Sequence, residues 1–528
     1  MTTANLSQGA ACASALLLLA LATSGPASAQ AEVRDLGSRL ELFVDDYLVE
    51  SMSGVTRELH SPERKGPVMI FDRPWEGGAT CYITVFQDGD LYRMYYRGQP
   101  LLGQYGDSAW TQGDWNAICG PEVTCYAESR DGIHWTRPEL RLFEGEFVDR
   151  YGKKFTLTAP NNVIWVGQGP LLHSTHNFTP FKDTNPACPP EARYKAIARW
   201  LNSPDPSPPQ PDATGYLWPP GAGLVAFQSA DGIHWSLMQE ERIIKKTETD
   251  SQNVAFWDPV RGCYVCYTRV WRKEGWTWRS IATLTSEDFL HWSDPPVWLD
   301  YGGAPDEHMY TCNILPYFRA PHIYLGLIMR LVGGRMWVQQ HPEHEISDGV
   351  LMSSRDGVHF DRSFMEGWIR PGLDPQRESW IHCNTMPAWG LLETAPDELS
   401  VYWIDHYGQP GSIAQLQRGT LRLDGFVSMH AKYAGGEFTT KPLTFAGREL
   451  VMNFSTSAVG SVRVEIQDQA GVPLPGFALA DCPEIYGDAI EQAVKWQAGS
   501  DVSALAGQVV RLRFVIKDVD LYSIRFRD

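Results

Sequence analysis

The chain is written in short apolar, β-rich runs separated by polar turns, and one turn keeps returning. It reads Ser129-Arg-Asp-Gly-Ile-His-Trp135 and again Ser229-Ala-Asp-Gly-Ile-His-Trp235. Degenerate copies follow at Ser286-Glu-Asp-Phe-Leu-His-Trp292 and Ser354-Arg-Asp-Gly-Val-His-Phe360. The Asp side chain can hydrogen-bond the backbone just ahead of it, and Gly accepts the positive φ of a tight turn. Apolar β-rich text precedes each copy, and the aromatic residue opens a further strand. Upstream lies a second repeat: Tyr92-Arg-Met-Tyr-Tyr-Arg97, Tyr194-Lys-Ala-Ile-Ala-Arg199 and Tyr264-Val-Cys-Tyr-Thr-Arg269. Tyr324 to Arg330 has one extra residue, and Tyr402-Trp-Ile-Asp-His-Tyr407 reads as a fifth member without the Arg.

One unit is therefore strand A, strand B ending in Arg, a variable loop, strand C, the Asp turn and strand D. Radial repetition of four-stranded units is a propeller, here of five blades over residues 37–422. Leu42 to Val49 is expected to complete the last blade and close the ring, which removes exposed sheet edges. From Asp424 the Asp turn stops, and short alternating strands over 424–528 predict a β-sandwich. The fold class is all-β.

Alternating strands also place candidate chemistry. Strands A and B are antiparallel, so the start of A and the end of B share one face. Glu76, Asp183, Asp250, Glu307 and Glu378 are assigned to A-strand starts, and Arg97, Arg199, Arg269 and Arg330 to B-strand ends. The B–C loops on that face carry aromatic residues, among them Trp110, Trp115, Trp271, Trp276 and Trp337. The expected site is a funnel with acids and arginines at its floor and aromatic walls. Glycosidic cleavage needs one carboxylic acid to protonate the leaving oxygen and a second carboxylate to attack or to activate water. Flat rings stack on sugar faces. The arginines either pin neighbouring blades or read an anionic sugar through bidentate contacts.

Composition narrows the class. The chain has 528 residues, enough for two domains, and a formal charge of −18, which argues against nucleic acid as a partner. After the N-terminus no apolar stretch is long enough to span a membrane. Ala13 to Ala22, followed by Ala27-Ser-Ala29, reads as a signal peptide over 1–29, which predicts a secreted or periplasmic protein. The nine cysteines that remain do not form a dense disulfide framework, and Cys263 and Cys266 read as strand positions. No cofactor motif is present. His176, His308, His341 and His344 lack the spacing of a zinc site, although a cation in the funnel stays open.

These motifs resemble the five-bladed β-propeller glycoside hydrolases, the invertase-type family 32 and the arabinanase-type family 43. The resemblance implies a hydrolase, and in family 32 a C-terminal β-sandwich. Phe181-Lys-Asp183 is similar to a blade-two motif of family 32 whose Asp stabilises the transition state, which implies that role for Asp183. That family's nucleophile and general-acid motifs are absent. Glu76 then stands as base or nucleophile, and Asp250 or Glu307 as acid. Trp110, Trp115, His176 and the four arginines are expected to bind substrate. Two other functions fit the same pattern: a glycan-binding propeller without catalysis, and a uronate lyase with His176 or Tyr310 as base.

Overall fold

The computed structural model describes residues 32–201, 210–211, 217–218, 221–245, 247, 250–272, 278–373 and 379–528. Five antiparallel sheets form the blades of a propeller. Blade one comprises Cys81–Asp88, Leu91–Gly98, Val123–Ser129 and Val163–Trp165. Blade two comprises Thr179–Lys182, Tyr194–Leu201, Ala222–Ser229 and Ser236–Leu237. Blade three comprises Val254–Asp258, Cys263–Arg272, Trp278–Ser286 and Val297–Trp298. In blades four and five the inner strand is broken into two pieces, His308–Met309 with Ile314–Tyr317 and Met386–Pro387 with Leu392–Ala395. Blade five is completed by Glu63–Ile70, which pairs with Gln415–Arg422 and so ties the N-terminal part of the chain to the last blade.

That closure differs from the expected one. Glu41–Leu42 pairs with the C-terminal strand Arg511–Arg527, and Val49–Ser53 pairs with Gly436–Thr440. Val55–Leu59 pairs with Val427–Ala431. The strands within residues 41–59 thus belong to the C-terminal sheet and not to the propeller. The strands of 424–528 expected to form a sandwich hydrogen-bond with three strands from residues 41–59 into one continuous eight-stranded sheet. Its two long strands, Glu449–Gln467 and Arg511–Arg527, shift register between Thr456 and Ser461. Phe438, Phe454, Val464, Phe514 and Phe526 share its core.

The sheet is fastened to the propeller by buried charge. Arg355, in the Asp turn of blade four, reaches Glu41 and Asp45 at 2.7 Å each and lies 3.8 Å over the Tyr47 ring. Asp424 accepts from Tyr317 Oη at 2.6 Å and from Arg319 Nε at 3.0 Å. Asp45 is therefore a docking residue.

The repeated turns have one chemistry. In each, the Asp accepts from the backbone amides two and three residues on and from the motif His, at 2.6–2.8 Å from His Nδ1, while the amide directly after the Asp donates to the Ser Oγ. The motif histidines are turn braces at the exposed edge and not funnel residues.

The Tyr repeat completes the logic. Tyr95 Oη donates to Gly232 O at 3.1 Å, Tyr267 Oη donates to Gly357 O at 3.0 Å, and Tyr402 Oη donates to Gly132 O. The second Tyr of one blade latches the turn of the next. Blade two has Ile197 there, and the next turn carries Phe289 where the others carry Gly; Phe289 is fully buried at φ +71°. Tyr402 plays the part of Tyr95, so the fifth copy is offset by three residues from the alignment with Tyr92.

Gly232 has φ +78°, and a Cβ there would lie 2.6 Å from Tyr95 Oη. Gly232→Ala is expected to cost about 2 kcal/mol through left-handed strain and loss of the latch. Denaturant midpoints check this; an unchanged midpoint would remove the latch as a stabilising contact.

Candidate functional site

A cavity of about 700 Å³ opens on the face where strands A start and strands B end. Arg97, at the end of strand B in blade one, donates from Nη2 to Ala79 O at 3.0 Å and to Tyr407 Oη at 3.3 Å. Its Nη1 lies 3.1 Å from His176 Nδ1, and its guanidinium sits 4.8 Å over the Tyr82 ring. His176, just ahead of strand A in blade two, is the hub. Its Nδ1 is 3.0 Å from Glu122 Oε2 and its Nε2 is 2.7 Å from Asp250 Oδ1. Glu122 also accepts from Thr175 Oγ1 at 3.0 Å. Asp250 lies 3.6 Å from Arg269 Nη2.

The linked order is Glu122, His176, Asp250. Burial works against the Glu122 charge, but Arg150, His176 and Arg97 hold its carboxyl well below the usual range. Burial likewise raises Asp250, yet the His176 hydrogen bond, then the charges of Arg269, His176 and Arg199, hold it well below. Asp250 is the member that meets solvent, with its side chain 49% exposed, against 1% for Glu122. Burial and the Arg150 charge lower the His176 pKa, against the pull of Glu122 and Asp250. At neutral pH the set presents an ionised Asp250 to the cavity, oriented from behind by His176.

Around it stand cations and rings. Arg97, Arg150, Arg199 and Arg279 line the cavity with His173 and His382; among the described residues, the carboxylates on its wall are Asp250 and Glu343. Tyr82, Trp115, Tyr151, Tyr310 and Tyr407 supply the aromatic surface. Trp115 is held by its Nε1 donating to Glu343 Oε1 at 3.0 Å. Arg279 lies 5.2 Å over the Tyr310 ring.

Of the expected site residues, Asp250, Arg97, Arg199, His176 and Trp115 come together on this wall, and Arg269 backs Asp250. The others do not. Asp183 follows strand Thr179–Lys182 and so lies at its far end, where it pairs with buried Lys195 and accepts from Tyr264 Oη at 2.7 Å. The strand begins four residues before Asp183 and not after it, which puts the motif on the opposite face. Glu76 is buried and holds Tyr96 Oη at 2.6 Å and Arg137 Nε at 2.9 Å. Glu307 pairs with Arg330 at 3.0 Å and Arg362 at 2.6 Å, away from the cavity wall. Arg330 goes with it: the extra residue in its strand shifts the side chain to the other face, because strand side chains alternate. Trp110 is 1% exposed and bonded to Leu102 O at 2.9 Å, a core residue of a short helix. Glu378 and Trp276 lie outside the described residues.

Three residues that sequence reasoning missed share one position. Glu122 precedes Val123–Ser129, and Arg279 and Glu345 open Trp278–Ser286 and Glu345–Ser354. These are starts of strand C, which lie on the same face as ends of strand B. Arg150 and Tyr151 come from the turn of an inserted hairpin, Gly145–Val148 with Lys154–Leu157, which no repeat marks. His341, a candidate cation ligand, is buried and its Nε2 sits 3.0 Å from Gly408 O. Among the described residues, no group of three or more His, Cys, Asp or Glu could hold a metal ion, and no helix is long and apolar enough to cross a membrane.

No family model matches the chain, and no curated protein does. In structure, 142 solved chains match. One is a glycoside hydrolase, 11% identical over 69% of this chain and 92% of that chain, at a TM-score of 0.40. Another is the β-1,2-mannobiose phosphorylase from Listeria innocua, 9% identical over 69% and 96%, at 0.43. A third is a thermostable family-43 glycoside hydrolase, 11% identical over 68% and 95%, at 0.38. The five blades rest on the chain's own sheets.

Proposed function

We propose that the protein is a carbohydrate-active enzyme that cleaves a glycosidic bond in an anionic saccharide held in the funnel. The observation that carries this reading is the wall itself: four arginines and an ionised, oriented Asp250 face one cavity between Trp and Tyr rings. Guanidinium groups suit a carboxylate or sulfate. The rings suit the apolar faces of sugars. Ionised at neutral pH, Asp250 fits a base or nucleophile and not a proton donor. His382, whose pKa is held at about 10 by Cys383 and Glu345 against the effect of burial, is the protonated group on the same wall. It stands as the candidate acid. This replaces the earlier assignment of Glu76, Asp183 and Glu307, which the cavity wall does not include.

A second reading, elimination on a uronate, has one observation in its favour. His176 and Tyr310 line the cavity, whereas most of the expected acids do not. Arginines that neutralise a uronate carboxylate ease removal of the neighbouring C–H proton. One assay separates the two readings. Purified protein is offered uronic and sulfated polysaccharides beside neutral ones, with reducing ends and unsaturated-uronate absorbance followed together. Reducing ends without absorbance, on acidic substrates alone, are the expected result. Equal rates on neutral polysaccharides would sink the anionic reading, and new absorbance would establish elimination. Glycan binding with no turnover on any substrate would leave a binding propeller. Residues 1–29, outside the described residues, are proposed as an export signal for a secreted or periplasmic enzyme.

A further inference from the structure

A second linked set reaches the cavity through one histidine, the only member that this reading uses, with Cys383 2% exposed behind the wall. His382 faces the cavity. Its Nδ1 is 2.9 Å from Glu345 Oε2, and its Nε2 is 2.9 Å from Cys383 Sγ. Carboxylate, imidazole and thiol in that order are an orienting group, a base and a nucleophile. The local backbone is held in an unusual shape. Cys383 has φ +58° and Thr385 has φ +55°, in the left-handed region that β-branched residues avoid. Strain of this kind persists only where the surroundings over-determine it, and it gathers at active sites.

Asn384, between the two, supplies the constraint. It accepts from Tyr407 N at 2.9 Å, donates to Tyr407 O at 2.8 Å, and its carbonyl accepts from Ser347 Oγ at 2.6 Å. Cys383 packs in one cluster with Tyr82 and Tyr310, both of which line the cavity. Arg97 and Arg279 face the same space and can offset charge that develops on a carbonyl oxygen.

We propose that Glu345, His382 and Cys383 form a thiol-nucleophile site that removes an ester-linked acyl group from the saccharide in the funnel. With the thiol proton resting on His382 Nε2, Sγ attacks the ester carbonyl carbon. The bond from that carbon to the sugar oxygen breaks, and the oxygen takes the proton from His382. The acyl group is left on Cys383 as a thioester. Water then attacks the thioester carbonyl, the C–S bond breaks, a carboxylic acid leaves, and the water's second proton returns to the Cys383–His382 pair. The sum is ester plus water giving alcohol plus acid, with no oxidant or metal required. The activity is separate from glycosidic cleavage, so its failure leaves that reading untouched.

The test is made on the whole protein with p-nitrophenyl acetate. Cysteine-containing peptides are mapped by mass spectrometry after a short incubation, and nitrophenolate is followed in parallel. The expected result is acetyl on Cys383 ahead of every other cysteine, with a burst of nitrophenolate that iodoacetamide pretreatment removes. Glu345→Gln, which keeps the side-chain shape, is expected to slow acetylation of Cys383 about ten-fold. Absence of acetyl from Cys383, or equal labelling of Cys188 and Cys383, would overturn the proposal. So would an unchanged rate in Glu345→Gln. The wild-type mapping decides the matter even where Cys383→Ser fails to fold.

Discussion

Asp250→Asn is expected to lower turnover on the cleaved saccharide by about 10³-fold, with only a modest loss of stability from the lost charge beside Arg269. The reasoning is local. Asp250 is half-exposed at the cavity and carries the charge that the funnel presents to its substrate. Asn keeps an oxygen able to accept from His176 Nε2, so the position now held at 2.7 Å loses its charge but not its hydrogen bond. Glu122, the buried partner on the other side of the ring, retains its Thr175 and Arg97 contacts. The loss of activity should therefore far exceed the loss of stability. Initial rates and thermal midpoints of the two proteins check it side by side. Turnover within a few-fold of wild type would remove Asp250 from the reaction.

Asp183→Asn is expected to behave in the opposite way. Resemblance to a hydrolase motif made Asp183 a transition-state stabiliser, but its carboxylate is buried against Lys195, whose side chain is 4% exposed. Removing one charge from a buried pair leaves the other uncompensated, which costs about 3 kcal/mol or more. The substitution should also loosen Tyr264, whose hydroxyl donates to the same carboxylate from the next blade at 2.7 Å. The variant should unfold at lower denaturant while the folded fraction keeps its kcat and KM. A collapse of kcat with no loss of stability would return Asp183 to the active site.

The two substitutions mark where pattern reading stops. Phe181-Lys-Asp183 and the text before Asp250 look alike as polar residues beside apolar runs. Which end of its strand each occupies depends on where pairing begins. Thr179 pairs with Ile197 and Lys182 with Tyr194, so the strand is already finished at Asp183. Arg330 fails for a related reason. One inserted residue in a period-2 strand turns the side chain to the opposite face. Arg97, Arg199 and Arg269 keep the repeat spacing, and the structure brings two to the cavity wall and one behind Asp250.

Read by itself, the sequence determined the blades. The Ser-x-Asp turn is closed by bonds within six residues, and the Tyr repeat recurs ahead of it, so both were legible as repeats, whereas the latch from Tyr95, Tyr267 and Tyr402 to the next blade's turn was not. Strand existence, blade number and the face carrying the B-strand ends follow from such local rules. Tertiary structure alone decided the rest. Ring closure by Glu63–Ile70, and not by the more apolar Leu42 to Val49, depends on which segment finds a free edge hundreds of residues away. The Glu122–His176–Asp250 order joins three loops, and Glu345 meets His382 across two blades. No spacing encodes these meetings, because the distances along the chain are arbitrary and only the ring's geometry makes the groups neighbours.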